Sequence, residues 1–196
     1  QFMFKSPQKT VTAVERTYAY LEAKGLKKIA IMTASDSFGQ EGKASLEKLA
    51  ASYGLRIVDA QVFDTTDSDV SVQLTKIKQA APQAVVCWTI GGIGAIVTKN
   101  FRQLGLSMPL IHCHGQADPK YLELAGAAAE GTLMPTTKLM VLDQLPQKDP
   151  QKAVLAKFKN DYENIQKIGK TGAHSGYAWD AMQLLALGLK QSNGQG

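Results

Sequence analysis

Residues 84–94, AVVCWTIGGIG, restrict the fold more than any other stretch of this chain. Residues 84–88 are an unbroken apolar run of strand type. Gly91 and Gly92 break the run, and Ile93, Ile96, Val97, Phe101 and Leu104 then recur at helical spacing. A buried strand, a glycine turn and an amphipathic helix make half of a βαβ unit. A strand with no polar face belongs in a parallel sheet covered on both sides. Gly91, Gly92 and Gly94 let the backbone turn tightly and approach a ligand, and the start of the following helix faces the same spot.

The same theme recurs along the chain. A helix is predicted over 10–24, with Val11, Val14, Tyr18 and Leu21 on one face and Gly25 ending it. Residues 28–34 read as a buried parallel strand. Ser35-Asp36 signals the cap of a helix near 38–53 that turns Leu46, Leu49, Ala50 and Tyr53 inward. A second strand follows over 55–63. The polar loop 64–69 leads into a helix through Leu74 and Ile77, which Pro82 closes. The third strand is the opening stretch, and the fourth covers 109–114. A short helix over 119–125 precedes a fifth strand over 131–137, which Pro135 confines to an edge or a crossing.

Strands alternating with helices predict the α/β class. The expected architecture is a Rossmann-like doubly wound parallel sheet of about five strands in the order 2-1-3-4-5, with helices on both faces. This lobe would span residues 8–137. Residues 138–196 read as a connector followed by two helices. The first, 151–165, turns Val154, Leu155, Phe158, Tyr162 and Ile165 inward; the second, 174–191, is strongly apolar. Neither has strands of its own to cover.

Composition excludes several classes. The chain is 44% hydrophobic and 20% charged, as ordinary globular proteins are. It lacks an apolar run of about 18 residues, so no transmembrane helix is expected. The start, QFMFKSP, has no charged-then-apolar leader, and Phe2, Met3 and Phe4 read as leading straight into structure, as if cut from something longer. Net charge is +5, but the basic residues are scattered, as at Lys24, Lys27 and Lys28, without the clustering that nucleic acid requires. Cys87 and Cys113 are expected to be buried free thiols, and no CxxC pair suggests a metal.

In a doubly wound sheet, ligands bind at the carboxyl ends of the strands where the strand order reverses. Those positions are Ser35 to Phe38, Trp88 to Gly92 and His114 to Gln116. Catalytic signatures are missing there. Gly92-x-Gly94 lacks the third glycine of a dinucleotide fingerprint, since Val97 stands in its place. No P-loop and no GxSxG elbow occurs. His112 and His114 alternate along a strand and face opposite sides. Asp64, Asp67 and Asp69 lack the glycine and distal glutamate of a calcium loop and are expected to cap the following helix instead. No catalytic residue, metal or cofactor is therefore expected. Trp88 and Phe38 fit a core and a pocket equally well.

The stretches IAIMTASDSFGQEG, TDSDVSVQLTKIKQAAPQAVV, FRQLGL, LAGAAAEGTL and DQLPQKDPQK resemble the periplasmic substrate-binding proteins of branched-chain amino acid ABC transporters, type I periplasmic binding proteins of the extracellular ligand-binding receptor family. The resemblance runs over nearly the whole chain. It implies two Rossmann-like lobes joined by crossing strands, with the ligand between them. This chain would be mainly the second lobe, with C-terminal helices that belong to a partly missing first lobe. FKSPQKT and MPTTKL resemble the crossings, and AWDAMQLLALGL resembles a helix of the first lobe.

The resemblance further implies a ligand-binding set of Phe38, Trp88, Thr89, Ile90, Gly91 and His114. His114 stands where amino-acid binders often carry an acidic partner for the ligand ammonium. An amino-acid-like, aromatic or aliphatic carboxylate is the expected ligand. The implied role is the solute-binding component of an ABC importer, non-enzymatic, periplasmic or lipid-anchored outside the cell, working with a membrane permease. The alternative is the extracytoplasmic ligand-sensing domain of a signalling receptor. Met182, Leu185 and Leu189 are expected to form an exposed apolar face through which the fragment dimerises.

Overall fold

The computed structural model describes residues 5–194. Residues 9–135 form one compact unit, and the described residues 5–8 and 136–194 form another. Phe2, Met3 and Phe4 lie outside the described residues.

The first unit begins with helix α1 (Thr10–Ala23), followed by β1 (Lys28–Ala34), α2 (Ser37–Ala50), β2 (Arg56–Phe63) and α3 (Ser71–Ala80). It continues with β3 (Ala84–Trp88), α4 (Ile93–Gln103), β4 (Leu110–His112) and the short α5 (Pro119–Ala125). The strands form one parallel sheet in the order β2-β1-β3-β4. β3 is buried along its whole length, as its unbroken apolar run requires.

Alternation along the strands divides the core into two layers. Ile29, Ile31, Val86 and Trp88 pack with Val14, Tyr18, Leu21 and Leu46 of α1 and α2. Met32, Val85 and Cys87 pack on the other face with Leu74, Ile77, Val97 and Phe101 of α3 and α4. The Tyr18 hydroxyl donates to the Leu46 carbonyl at 2.8 Å and ties α1 to α2 within the first layer. Asp36 caps α2 by accepting from the Gly39 N–H at 2.7 Å. Of the three aspartates expected to cap the helix after β2, only Asp69 reaches its first turn, accepting from the Ser71 N–H; Asp64 and Asp67 lie too far ahead of it and hydrogen-bond within the loop instead. Cys87 and Cys113 are buried free thiols.

The fifth strand expected over 131–137 does not form. Only Leu133 bridges to Ile111, donating to Leu110 O at 3.0 Å and accepting from His112 N at 2.8 Å. Gly131 turns the chain before this point, and Pro135 offers no N–H after it. The fourth strand is shorter than expected as well. It stops at His112, and residues 114–116 curl into a 3-10 turn.

In the second unit, a 3-10 segment (Lys138–Gln144) leads to α6 (Lys152–Asn160) and α7 (Ala173–Gln191). A π-turn over Asp161–Ile165 extends α6. Of the face predicted to point inward over 151–165, Phe158 is buried, but Val154 and Ile165 are exposed. That face has the right spacing and too little to cover it. Phe158 packs on Trp179 with ring centroids 5.2 Å apart. On α7, Met182, Leu184, Leu185, Leu187 and Leu189 are exposed.

Candidate functional site

The carboxyl ends of β1, β3 and β4 bring three rings together. β1 ends at Ala34 and α2 starts three residues on, which sets Phe38 in the first turn of that helix. Trp88 ends β3, and His114 opens the turn that follows β4. The ring centroids lie 6.1 Å apart for Phe38 and Trp88, 5.9 Å for Phe38 and His114, and 5.7 Å for Trp88 and His114. Edge-on and tilted contacts at this range are favourable beyond simple burial. The depths of the rings differ. Trp88 is fully buried, His114 is nearly so, and Phe38 is partly exposed.

The indole of Trp88 is seated by Gly42 of α2. A Cβ at that position would stand 2.1 Å from Trp88 Cδ1, so any larger residue would drive the helix and the ring apart. Trp88 Nε1 is buried without a hydrogen-bond partner. The ring is therefore held by packing, and it backs Phe38 and His114.

Beside the rings runs the turn Thr89–Gly92. Gly91 has φ +76°, the left-handed region in which a side chain is strained. Ile90 is 44% exposed, while Thr89 is buried. The tip of Ile90 lies over Gly115, where an added Cβ would come within 2.4 Å of Ile90 Cγ2 and 3.6 Å of Phe38 Cζ. Two hydrogen bonds hold the turn from the segment after β4. The Cys113 thiol donates to Thr89 O at 3.1 Å, and Gln116 Nε2 donates to Gly91 O at 3.1 Å. Burial raises the Cys113 thiol to about 11, so it stays a neutral donor at physiological pH.

Behind the turn lies a buried polar cluster. Thr98 Oγ1 lies 2.9 Å from Gly94 O, 2.8 Å from His112 Nε2 and 2.9 Å from the Tyr121 hydroxyl. A hydroxyl has one proton to give. With that proton on Gly94 O, both other partners donate to Thr98, which places the His112 proton on Nε2. Burial lowers the pKa of His112 to about 3 and keeps the ring neutral. His112 and His114 do face opposite sides, His112 towards Tyr121 and His114 towards Phe38 and Trp88.

All six sequence-predicted residues gather at these strand ends. Phe38, Ile90 and Gly91 are accessible, His114 marginally so, and Trp88 and Thr89 lie beneath them. The sequence reading missed the supporting residues Gly42, Cys113 and Gln116. Gln116 was the most visible of these, since it falls in the segment that topology had singled out. Among the described residues no cluster of three potential metal ligands exists. The accessible surface is aromatic and aliphatic with an imidazole at its edge, suited to gripping a flat or branched apolar body and one polar end.

A family model described as periplasmic binding protein matches residues 2–195. The chain belongs to the periplasmic binding protein family. Solved structures agree with this assignment. An extracellular ligand-binding receptor from Rhodopseudomonas palustris is 26% identical, with a TM-score of 0.82 over 91% of this chain and 50% of that one. Another protein, from R. palustris strain CGA009, is 25% identical, with a TM-score of 0.84 over the same shares of each chain. A solute-binding protein of an R. palustris ABC transporter, solved in complex with benzoate, shares the fold at 22% identity, with a TM-score of 0.80 over 98% of this chain and 51% of that one. No curated protein sequence matches the chain. This periplasmic binding protein chain thus spans about half the length of the structures it resembles.

Proposed function

We propose that this chain supplies one side of the ligand cleft in the solute-binding component of an ABC importer, delivering a small organic ligand to a membrane permease from outside the cytoplasmic membrane. Phe38, Ile90, Gly91 and His114 would form the gripping surface, with Trp88 and Thr89 as its base. A second lobe would close over the ligand by a hinge motion. The observation that carries this reading is the Phe38–Trp88–His114 cluster at the strand ends where ligands bind in such sheets. The role is binding without chemistry.

The same cluster favours an aromatic or aliphatic carboxylate over an ordinary amino acid. The imidazole of His114 can donate to a carboxylate, carbonyl or hydroxyl oxygen, and it is a poor partner for an ammonium. Phe38 and Ile90 suit an apolar body. Support also comes from proteins of the same fold solved with benzoate and with 3,4-dihydroxybenzoic acid. Calorimetry on the complete two-lobed protein tests the reading. Benzoate or 3,4-dihydroxybenzoate should bind, and leucine should bind more weakly. His114→Ala and Phe38→Ala should each weaken aromatic carboxylate binding, His114→Ala by about 1–2 kcal/mol. Unchanged affinity in both variants, or a preference for leucine, refutes it.

A further inference from the structure

We propose that Gln116 is a positioning residue of the candidate site, fixing the Thr89–Gly92 turn against the segment that carries His114. The proposal rests on the reading that this turn and His114 face the ligand. Gln116 is 2% exposed, and its Nε2 donates to Gly91 O at 3.1 Å. Cys113, three residues earlier, donates to Thr89 O at 3.1 Å. The two bonds flank Ile90 on one segment and His114-Gly115 on the other. The exposed Ile90 side chain and the His114 ring are thereby held as one body. A thiol is a weak donor, so the carboxamide is the stronger of the two ties.

Gly94 supplies the complementary space. A Cβ there would lie 2.1 Å from Gln116 Nε2 and 2.5 Å from Cδ. Gly94 sits in the first turn of α4, and its φ lies outside the left-handed region. Its backbone conformation does not call for glycine, and alanine would be the better helix former. The space that glycine leaves there is filled by the Gln116 amide.

Amide exchange and methyl relaxation by NMR on the ligand-free 196-residue chain test the tie. Gln116→Ala should make the amides of Gly94 and Ala95, which donate to Gly91 O and Gly92 O, exchange about tenfold faster and loosen the Ile90 methyl groups, while the amides of residues 29–33 stay protected. Gln116→Met fills the same space without a donor and should loosen the turn equally. Gly94→Ala should lower Tm in the parent chain by displacing Gln116. In the Gln116→Ala background it should raise Tm, because the clash is gone and the helix preference remains. A turn that stays rigid in Gln116→Met, or a Gly94→Ala penalty that is the same in both backgrounds, overturns the proposal. No ligand enters this test, so its failure is distinct from a failure of the ligand reading, which shows as unaffected binding in Phe38→Ala and His114→Ala.

Discussion

Two apolar segments of this chain meet opposite fates. β3 is wholly buried, sandwiched between side chains of α1 and α2 on one face and of α3 and α4 on the other. On α7, Met182, Leu184, Leu185 and Leu187 are 55–62% exposed. The difference lies in supply: residues 9–135 carry both the apolar strands and the helices that cover them. α7 has apolar residues around most of its circumference, and a helix of that kind is stable as a core element, with cover on several sides. Its own unit covers it at one end, where only Ala173 is buried and Trp179 meets Phe158.

The contrast can be broken most directly by matched truncations. Leu46→Ala should cost about 2–5 kcal/mol in denaturant unfolding, the range for a cavity in a closed core. Leu185→Ala should stay within about 0.5 kcal/mol, as exposed substitutions do. Equal costs would show that the two regions are packed alike.

Overfilling should sharpen the same contrast. Gly42→Ala pushes a methyl into Trp88 and should cost about 1–3 kcal/mol. Gly188→Ala on α7 meets nothing within 4 Å and should be neutral or slightly stabilising. Thermal melts of the two variants check this.

Acid should act on the sheet unit through His112. Its pKa falls from 6.5 to about 3 because burial disfavours the charged ring. The folded state therefore binds the proton less readily than the unfolded chain. The stabilisation is complete above about pH 6.5 and fades as the pH drops towards about 3, with a slope of up to about 1.4 kcal/mol per pH unit. His112→Gln should flatten that slope in urea titrations at several pH values. Tyr18→Phe removes one buried hydrogen bond and should cost about 1 kcal/mol in the same urea titrations.

Much of the fold was legible in the sequence because the strands announce themselves. Lys28–Ala34 was read to the residue, and Ala84–Trp88 follows from its apolar run alone. The fifth strand was misjudged because hydrophobic letters outweighed backbone chemistry: Gly131 and Pro135 leave Leu133 room for one bridge. The face over 151–165 was misjudged for a different reason. Periodicity reveals which residues could be buried, while burial itself depends on a neighbour that local sequence does not describe. The site shows the same division. Topology placed Phe38 and His114 at the carboxyl ends of β1 and β4, on either side of β3, whereas the depth of Trp88 and the reach of Gln116 depend on gaps left by Gly42 and Gly94 on other elements.

The two cysteines have a practical consequence for measuring this protein at work. Alkylating reagents attack thiolates, and burial keeps both sulfurs protonated and out of reach, with Cys87 raised well above its ordinary value. The native chain is thus a quiet background for maleimide chemistry. Ile90→Cys would put one reactive sulfur beside the Phe38–Trp88–His114 cluster, where a polarity-sensitive dye tests the proposed lobe closure with Cys87 and Cys113 left in place.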